Sequence, residues 1–129
     1  MSTIYTIVVA EDDPLMRGAV VAALAKSKSV SVVQFDNGAD ALEFAFAKHP
    51  ELIVLDVAMP KLDGISALRK IREDEWGKNA QVVLLTSLGD SEIVMKEVSK
   101  LNPAHCLMKD RVSIDEVVSK AYALLGIAA

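Results

Sequence analysis

Asp56 stands where a carboxylate can react. Four apolar residues, Leu52-Ile53-Val54-Leu55, run straight into it, and turn residues follow at Pro60 and Asp63-Gly64. Three more carboxylates, Glu11-Asp12-Asp13, close a second apolar run, Ile4 to Ala10. Thr86 closes a third, Gln81 to Thr86, and Lys109 follows a fourth, Ala104 to Met108. Carboxylates brought close together repel, and at least one pKa rises unless a cation neutralises them. Mg2+ suits the task, because it takes oxygen ligands and is usually held by one or two carboxylates plus a phosphate. Add the ammonium of Lys109 and the hydroxyl of Thr86, and the set fits phosphoryl transfer onto a carboxylate. Metal and lysine would neutralise the equatorial oxygens while Asp56 attacks in line.

That chemistry requires the four runs to end at one place. Short apolar runs bounded by turn signals read as strands, and Leu52–Asp56 reads as one buried on both faces. Between them lie helical patterns. Met16, Val20, Ala23 and Leu24 mark the first helix, after Pro14 in its opening turn. Val30 to Phe35, with serine interleaved near its start, is a second strand of sheet-edge character. Asn37-Gly38 leads into a helix with Leu42 and Ala45-Phe46 facing inward. Ile65, Leu68 and Ile71 mark a third helix, ending near Trp76-Gly77. Gly89-Asp90-Ser91 opens a fourth, carried by Val94, Val98 and Leu101 and ended by Asn102-Pro103. Ser113-x-x-Glu116 is a capping box for a fifth, which buries Val117, Ala121 and Leu124 and stops at Gly126. Five strands alternating with five helices mean an α/β domain with a parallel sheet covered on both faces. Parallel strands present all their carboxyl ends along one edge, where open α/β sheets keep their chemistry.

Composition narrows the function classes. The 129 residues predict a single domain, 1–129, with a sizeable core. A net charge of −4 offers no overall basic field for nucleic acid or an anionic membrane. A lone cysteine, Cys106, excludes an internal disulfide framework and fits a reducing cytoplasm. No signal peptide is visible, and no apolar run approaches the roughly 18 residues of a membrane helix.

Taken in order, Val8-Val9-Ala10-Glu11-Asp12-Asp13-Pro14, Leu55-Asp56-Val57-Ala58-Met59-Pro60, Asp63-Gly64, Leu84-Leu85-Thr86-Ser87 and Lys109 resemble the receiver domains of two-component response regulators. The resemblance covers essentially the whole chain. It implies the flavodoxin-like (βα)5 fold of the chemotaxis regulator, with strand order 2-1-3-4-5. It implies that Asp56 accepts a phosphoryl group from a histidine kinase or histidine phosphotransfer protein. Asp12 would bind Mg2+ (or Mn2+) directly, Glu11 mostly through water, and Ala58 through its backbone carbonyl, with Asp13 ranked behind them. Thr86 would move to the phosphoryl oxygen and Lys109 would pair with it. The fourth helix, fifth strand and fifth helix would present the changed surface to a downstream protein or output domain. No output domain is expected within this chain.

Three departures from the family pattern bear on the switch. Cys106 stands where an aromatic residue is usual, so the family's coupling of threonine to a rotating ring has no ring here. Asp110 replaces a proline usually preceded by a cis bond. A cis bond at a non-proline residue costs about 2.5–4 kcal/mol, so Lys109–Asp110 is expected to be trans. Ala58 and Leu88 are apolar at positions flanking the phosphoryl group, which predicts slow autodephosphorylation through exclusion of an attacking water. A phosphorylation-independent docking domain therefore remains an alternative. A haloacid-dehalogenase-like phosphatase needs a second aspartate where Ala58 stands, and an FMN-binding flavodoxin would meet repulsion from Glu11-Asp12-Asp13.

Each residue also has a plainer reading. Asp56 alone would serve as a turn residue, Glu11-Asp12-Asp13 as a favourable helix start, Thr86 as an ordinary strand end and Lys109 as a solvated lysine. Their convergence favours function. Cys106 reads as a buried small hydrophobe. His49 and His105 read as surface or loop residues. Trp76, Tyr122 and the methionines read as packing, with Tyr122 near the interaction face of the fifth helix.

Overall fold

The structure is a computed structural model that describes residues 3–87 and 92–128. Five strands and five helices alternate: β1 (Tyr5–Ala10), α1 (Pro14–Leu24), β2 (Val30–Phe35), α2 (Gly38–Lys48), β3 (Leu52–Asp56), α3 (Gly64–Glu73), β4 (Val82–Thr86), α4 (Glu92–Leu101), β5 (His105–Met108) and α5 (Ile114–Leu125). A single 3-10 turn, Gly77–Asn79, links α3 to β4. The strands form one parallel sheet in the order β2-β1-β3-β4-β5, as expected.

The alternation of side chains along each strand builds two cores. Val8 and Ala10 of β1, Ile53 and Leu55 of β3, and Val82 and Leu84 of β4 face α2, α3 and α4. Their neighbours Ile7, Val9, Leu52, Val54, Val83 and Leu85 face α1 and α5. Every residue of β3 and β4 is buried, because both faces are covered. Each fully buried aliphatic side chain stabilises the fold by about 1.5–3 kcal/mol relative to exposure. The edge strand β2 is only half-buried, in keeping with its interleaved serine.

Side-chain caps fix where the helices begin. Asp13, Asn37, Asp63 and Ser113 each accept a hydrogen bond from a backbone N–H of α1, α2, α3 and α5 respectively. The serine half of the expected capping box is formed, with the Ser113 hydroxyl accepting from Glu116 N–H at 3.1 Å. These helix starts lie at the same edge as the strands' carboxyl ends, so their positive dipole ends border the site.

Several expectations need correction. Phe46 does not face inward: it is 37% exposed, while Ala41 and Ala45 supply the buried stripe of α2. The advance of about 100° per residue carries position 46 off that stripe. Its ring meets Trp76 edge-on at 6.5 Å. His49 is an exposed residue closing α2, as expected, with a left-handed backbone and its ring stacked on Trp76 at 4.5 Å. His105 lies in β5, not in a loop. Tyr122 packs as expected: it is buried, and its hydroxyl donates to the Leu24 carbonyl at 2.7 Å, which ties α5 to α1. Cys106 is half-buried, because β5 is the outer strand and α4 covers it incompletely. The expected opening of α4 at Gly89-Asp90-Ser91, and Leu88, lie outside the described residues.

Candidate metal and phosphoryl site

The carboxyl ends of β1, β3 and β4 deliver three buried polar residues to one spot. Glu11 is 1% exposed, Asp56 2% and Thr86 3%. Lys109, one residue beyond β5, reaches across the sheet edge. Its Nζ lies 2.6 Å from Glu11 Oε1 and 2.9 Å from Asp56 Oδ1. The Lys109 N–H donates to the Thr86 carbonyl at 2.8 Å, which ties the start of the β5–α5 loop to the end of β4. The Lys109–Asp110 bond is trans, as expected.

The site is rich in negative charge. Carboxylate oxygens of Glu11, Asp12 and Asp56 all lie within 4.8 Å of one another, with Asp12 exposed to solvent. Burial pushes the Glu11 carboxyl up to about 7, aided by its sharing of space with Asp56 and opposed by Lys109. Burial works against the Lys109 ammonium, but Glu11 and Asp56 outweigh it and hold its pKa above the ordinary value. Glu11 Oε2 is buried and has no hydrogen-bond partner among the described residues. A buried carboxylate oxygen left without a donor costs on the order of 1–3 kcal/mol, more when charged. A hard cation offers what that oxygen lacks, so the donor set fits Mg2+ or Mn2+.

Two sequence candidates stand apart from this cluster. Asp13 accepts the Leu15 N–H at 3.0 Å as the cap of α1 and is not among the three clustered carboxylates. Its rank behind Glu11 and Asp12 is explained by that capping duty. Ala58 lies exposed in the loop after β3, near enough in sequence to offer its carbonyl. The β3–α3 loop folds back tightly: Gly64 N–H donates to the Val57 carbonyl at 2.8 Å, and a Cβ at Gly64 would overlap the Asp56 carbonyl oxygen. Glycine is therefore required beside Asp56. Sequence reasoning passed over Arg17, whose Nη1 donates to the Glu11 carbonyl at 2.9 Å. The available signal was a basic residue in the first turn of a helix, where the dipole disfavours it.

In sequence and in fold the chain resembles known proteins. The model of the response regulator receiver domain matches residues 7–121. A Mycobacterium tuberculosis protein named "Probable transcriptional regulatory protein NarL" is 38% identical over 105 residues, which cover 81% of this chain and 47% of that protein. The chemotaxis protein CheY of Bacillus subtilis is 28% identical over 94 residues, covering 73% of this chain and 77% of CheY. The chain thus spans about half the length of the NarL relative it matches. Among solved structures, the signal receiver domain of NarL from Mycobacterium tuberculosis superposes with a TM-score of 0.82 at 32% identity, covering 96% of this chain and 98% of that one. The receiver domain of the Francisella response regulator 1452 gives 0.83 at 26% identity, covering 95% and 97%. Receiver domains are signalling modules and not classical turnover enzymes, and they generally bind Mg2+ at an acidic cluster. From Ile7 to Ala121, this chain belongs to the response regulator receiver domain family of two-component signalling.

Proposed function

We propose that Asp56 accepts a phosphoryl group from a histidine kinase or histidine phosphotransfer protein, and that the chain acts as a phosphorylation-activated switch. One observation supports this reading above the others. Three carboxylates cluster at the sheet edge, two of them, Glu11 and Asp56, paired with the Lys109 ammonium, and one buried oxygen, Glu11 Oε2, has no hydrogen-bond partner among the described residues. Asp12 and Asp56 would hold Mg2+ or Mn2+ directly, with the Ala58 carbonyl beside them and Glu11 acting mostly through water. When bound, the ion neutralises charge on the transferring phosphoryl oxygens. An Asp56 oxygen then bonds to phosphorus in line as the donor's P–N bond breaks, and the electron pair leaves with the imidazole nitrogen. Lys109 exchanges its contact with Asp56 for one with a phosphoryl oxygen, and the Thr86 hydroxyl donates to another. The aspartyl phosphate adds about one negative charge to the site. Contacts to Thr86 and Lys109 favour the arrangement of the β4–α4 and β5–α5 loops that makes them best.

Residues 1–129 act in this reading as one receiver unit, in the cytoplasm. Its altered α4–β5–α5 face controls a downstream protein or an output domain, and its acidic surface makes no direct contact with nucleic acid. No helix among the described residues is long and apolar enough to cross a membrane.

Intact mass after incubation with acetyl phosphate tests the assignment. The expected result is one added phosphoryl group that requires Mg2+ and is absent from Asp56→Asn. No addition from acetyl phosphate or from a histidine kinase would overturn it. The outcome would then favour the second reading, a phosphorylation-independent docking domain. Cys106 and Asp110 support that reading, because both stand at positions that usually serve the switch.

A further inference from the structure

Arg17 is the fourth residue of α1, in a turn that carries no acidic side chain. A cation near a helix N-terminus is unfavourable by roughly 0.3–1 kcal/mol, so its place calls for a reason. The side chain runs back to the strand edge. Nη1 donates to the Glu11 carbonyl at 2.9 Å, and Nε donates to Gln34 Oε1 on β2 at 3.1 Å. On the other side, the Glu11 N–H donates to the Phe35 carbonyl at 3.1 Å. Glu11 is therefore gripped at both of its backbone polar groups.

The Glu11 carbonyl and the Asp12 N–H belong to one rigid peptide plane. Turning that plane changes ψ of Glu11 and φ of Asp12, and so re-aims both side chains relative to Asp56. These are the three residues whose carboxylates cluster. Among the described residues no ion pair joins Arg17 to the Glu11 or Asp12 carboxylate; the only ion pair of Glu11 is with Lys109. A planar guanidinium with two bonds in fixed directions orients a peptide in a way that an ammonium cannot.

We propose that Arg17, anchored on Gln34, is a positioning residue for the divalent-cation site, fixing the Glu11–Asp12 peptide plane so that both carboxylates aim at one ion. The inference rests on the metal reading above and adds a residue to it. Coulomb's law alone makes the opposite prediction. Removing a positive charge near a cation site should tighten cation binding, whereas losing the positioning bond should weaken it.

Mn2+ serves as the probe, with free ion counted by electron paramagnetic resonance, for the parent chain, Arg17→Gln, Arg17→Lys and Gln34→Leu. Thermal unfolding in EDTA monitors the fold separately. Outer partners of metal ligands typically change affinity 10–100-fold, so Arg17→Gln should weaken Mn2+ binding about tenfold. Arg17→Lys should weaken it nearly as much, and Gln34→Leu about threefold. Unfolding of Arg17→Lys and Gln34→Leu in EDTA should stay cooperative and close to the parent's. Phosphorylation from acetyl phosphate should recover toward the parent rate at saturating Mn2+. Equal or tighter binding by both Arg17 variants overturns the inference while leaving the metal reading intact. So does weakening confined to variants that have lost cooperative unfolding. Absence of Mn2+ binding by the parent overturns the metal reading and the inference together.

Discussion

Burial weakens Glu11 as an acid. Its carboxyl is pushed from an ordinary 4.5 up to about 7, first by desolvation and then by the neighbouring Asp56, against the pull of Lys109. A raised pKa means that the fold favours the protonated form. The stability contributed by this group is complete below its unfolded pKa and is lost as pH rises through about 7. Glu11→Gln keeps the shape and removes the titration. In EDTA the variant should gain on the parent between pH 5 and pH 8, by an amount on the order of 3 kcal/mol at most, read from denaturant midpoints. Mg2+ at pH 8 should raise the stability of the parent, since a ligand of the native state stabilises by mass action, and should raise that of the variant much less. A variant no more stable than the parent at pH 8 would show that Lys109 already compensates the charge. The position of Glu11, Asp56, Thr86 and Lys109 at strand ends was legible because each ends or follows a strongly apolar run. Asp13 was ranked behind Glu11 and Asp12 by the family resemblance alone; its capping of Leu15 N–H was not legible, because it has the same side chain in the same acidic stretch.

The start of α3 shows how an element is held beside the site. Asp63 Oδ1 accepts the Ser66 N–H at 2.8 Å, and its Oδ2 accepts the Ser66 hydroxyl at 2.7 Å. Partial burial works against the Asp63 charge, but these bonds outweigh it and hold its pKa below the ordinary 3.8. The cap is thus fully effective above that value and fades as pH falls through the lowered one. Asp63→Ala should cost about 1 kcal/mol at neutral pH, and its deficit should shrink on acidification below pH 3.8. A deficit independent of pH would mean that the carboxylate charge plays no part. The strands were readable to within a residue, because buried parallel strands leave uninterrupted apolar runs; the end of α3 was not, since the helix stops at Glu73 and Trp76-Gly77 belong to the turn that follows. Side chains at the margin of a stripe were not. Phe44 and Phe46 bracket Ala45, and only packing decides that Phe44 pairs with Phe35 at 5.5 Å while Phe46 stays half in solvent. Arginine bonds to backbone carbonyls are equally silent in a sequence, which is why neither Arg17 nor Arg72 drew notice.

Arg72 bears on how the molecule as a whole would switch. From α3 it donates through Nε to the Leu101 carbonyl at 2.8 Å and through Nη2 to the Asn102 carbonyl at 3.0 Å, at the end of α4. Nη1 binds the Gly77 and Ala80 carbonyls at 2.7 and 2.8 Å. Arg69 and Glu97 add a half-exposed ion pair between the same helices. All four Arg72 carbonyls lie at the edge of the sheet opposite Asp56. Helix α4 is therefore pinned at the end remote from the site, and its near end carries the exposed Ile93 and Met95. A helix held at one end responds to a change at the other by pivoting. Phosphorylation of Asp56 should then alter amide hydrogen exchange in residues 92–95 and in the 108–112 loop, and leave residues 101–104 close to their unphosphorylated rates. Asp56→Asn with the same phosphodonor should show no change at all. Arg72→Ala should extend the response toward residue 101, since four carbonyls lose their common donor and the far end of α4 is released. A uniform response along α4 in the unmodified chain would sink the pivot, because it would mean that the helix shifts as a body despite the clamp.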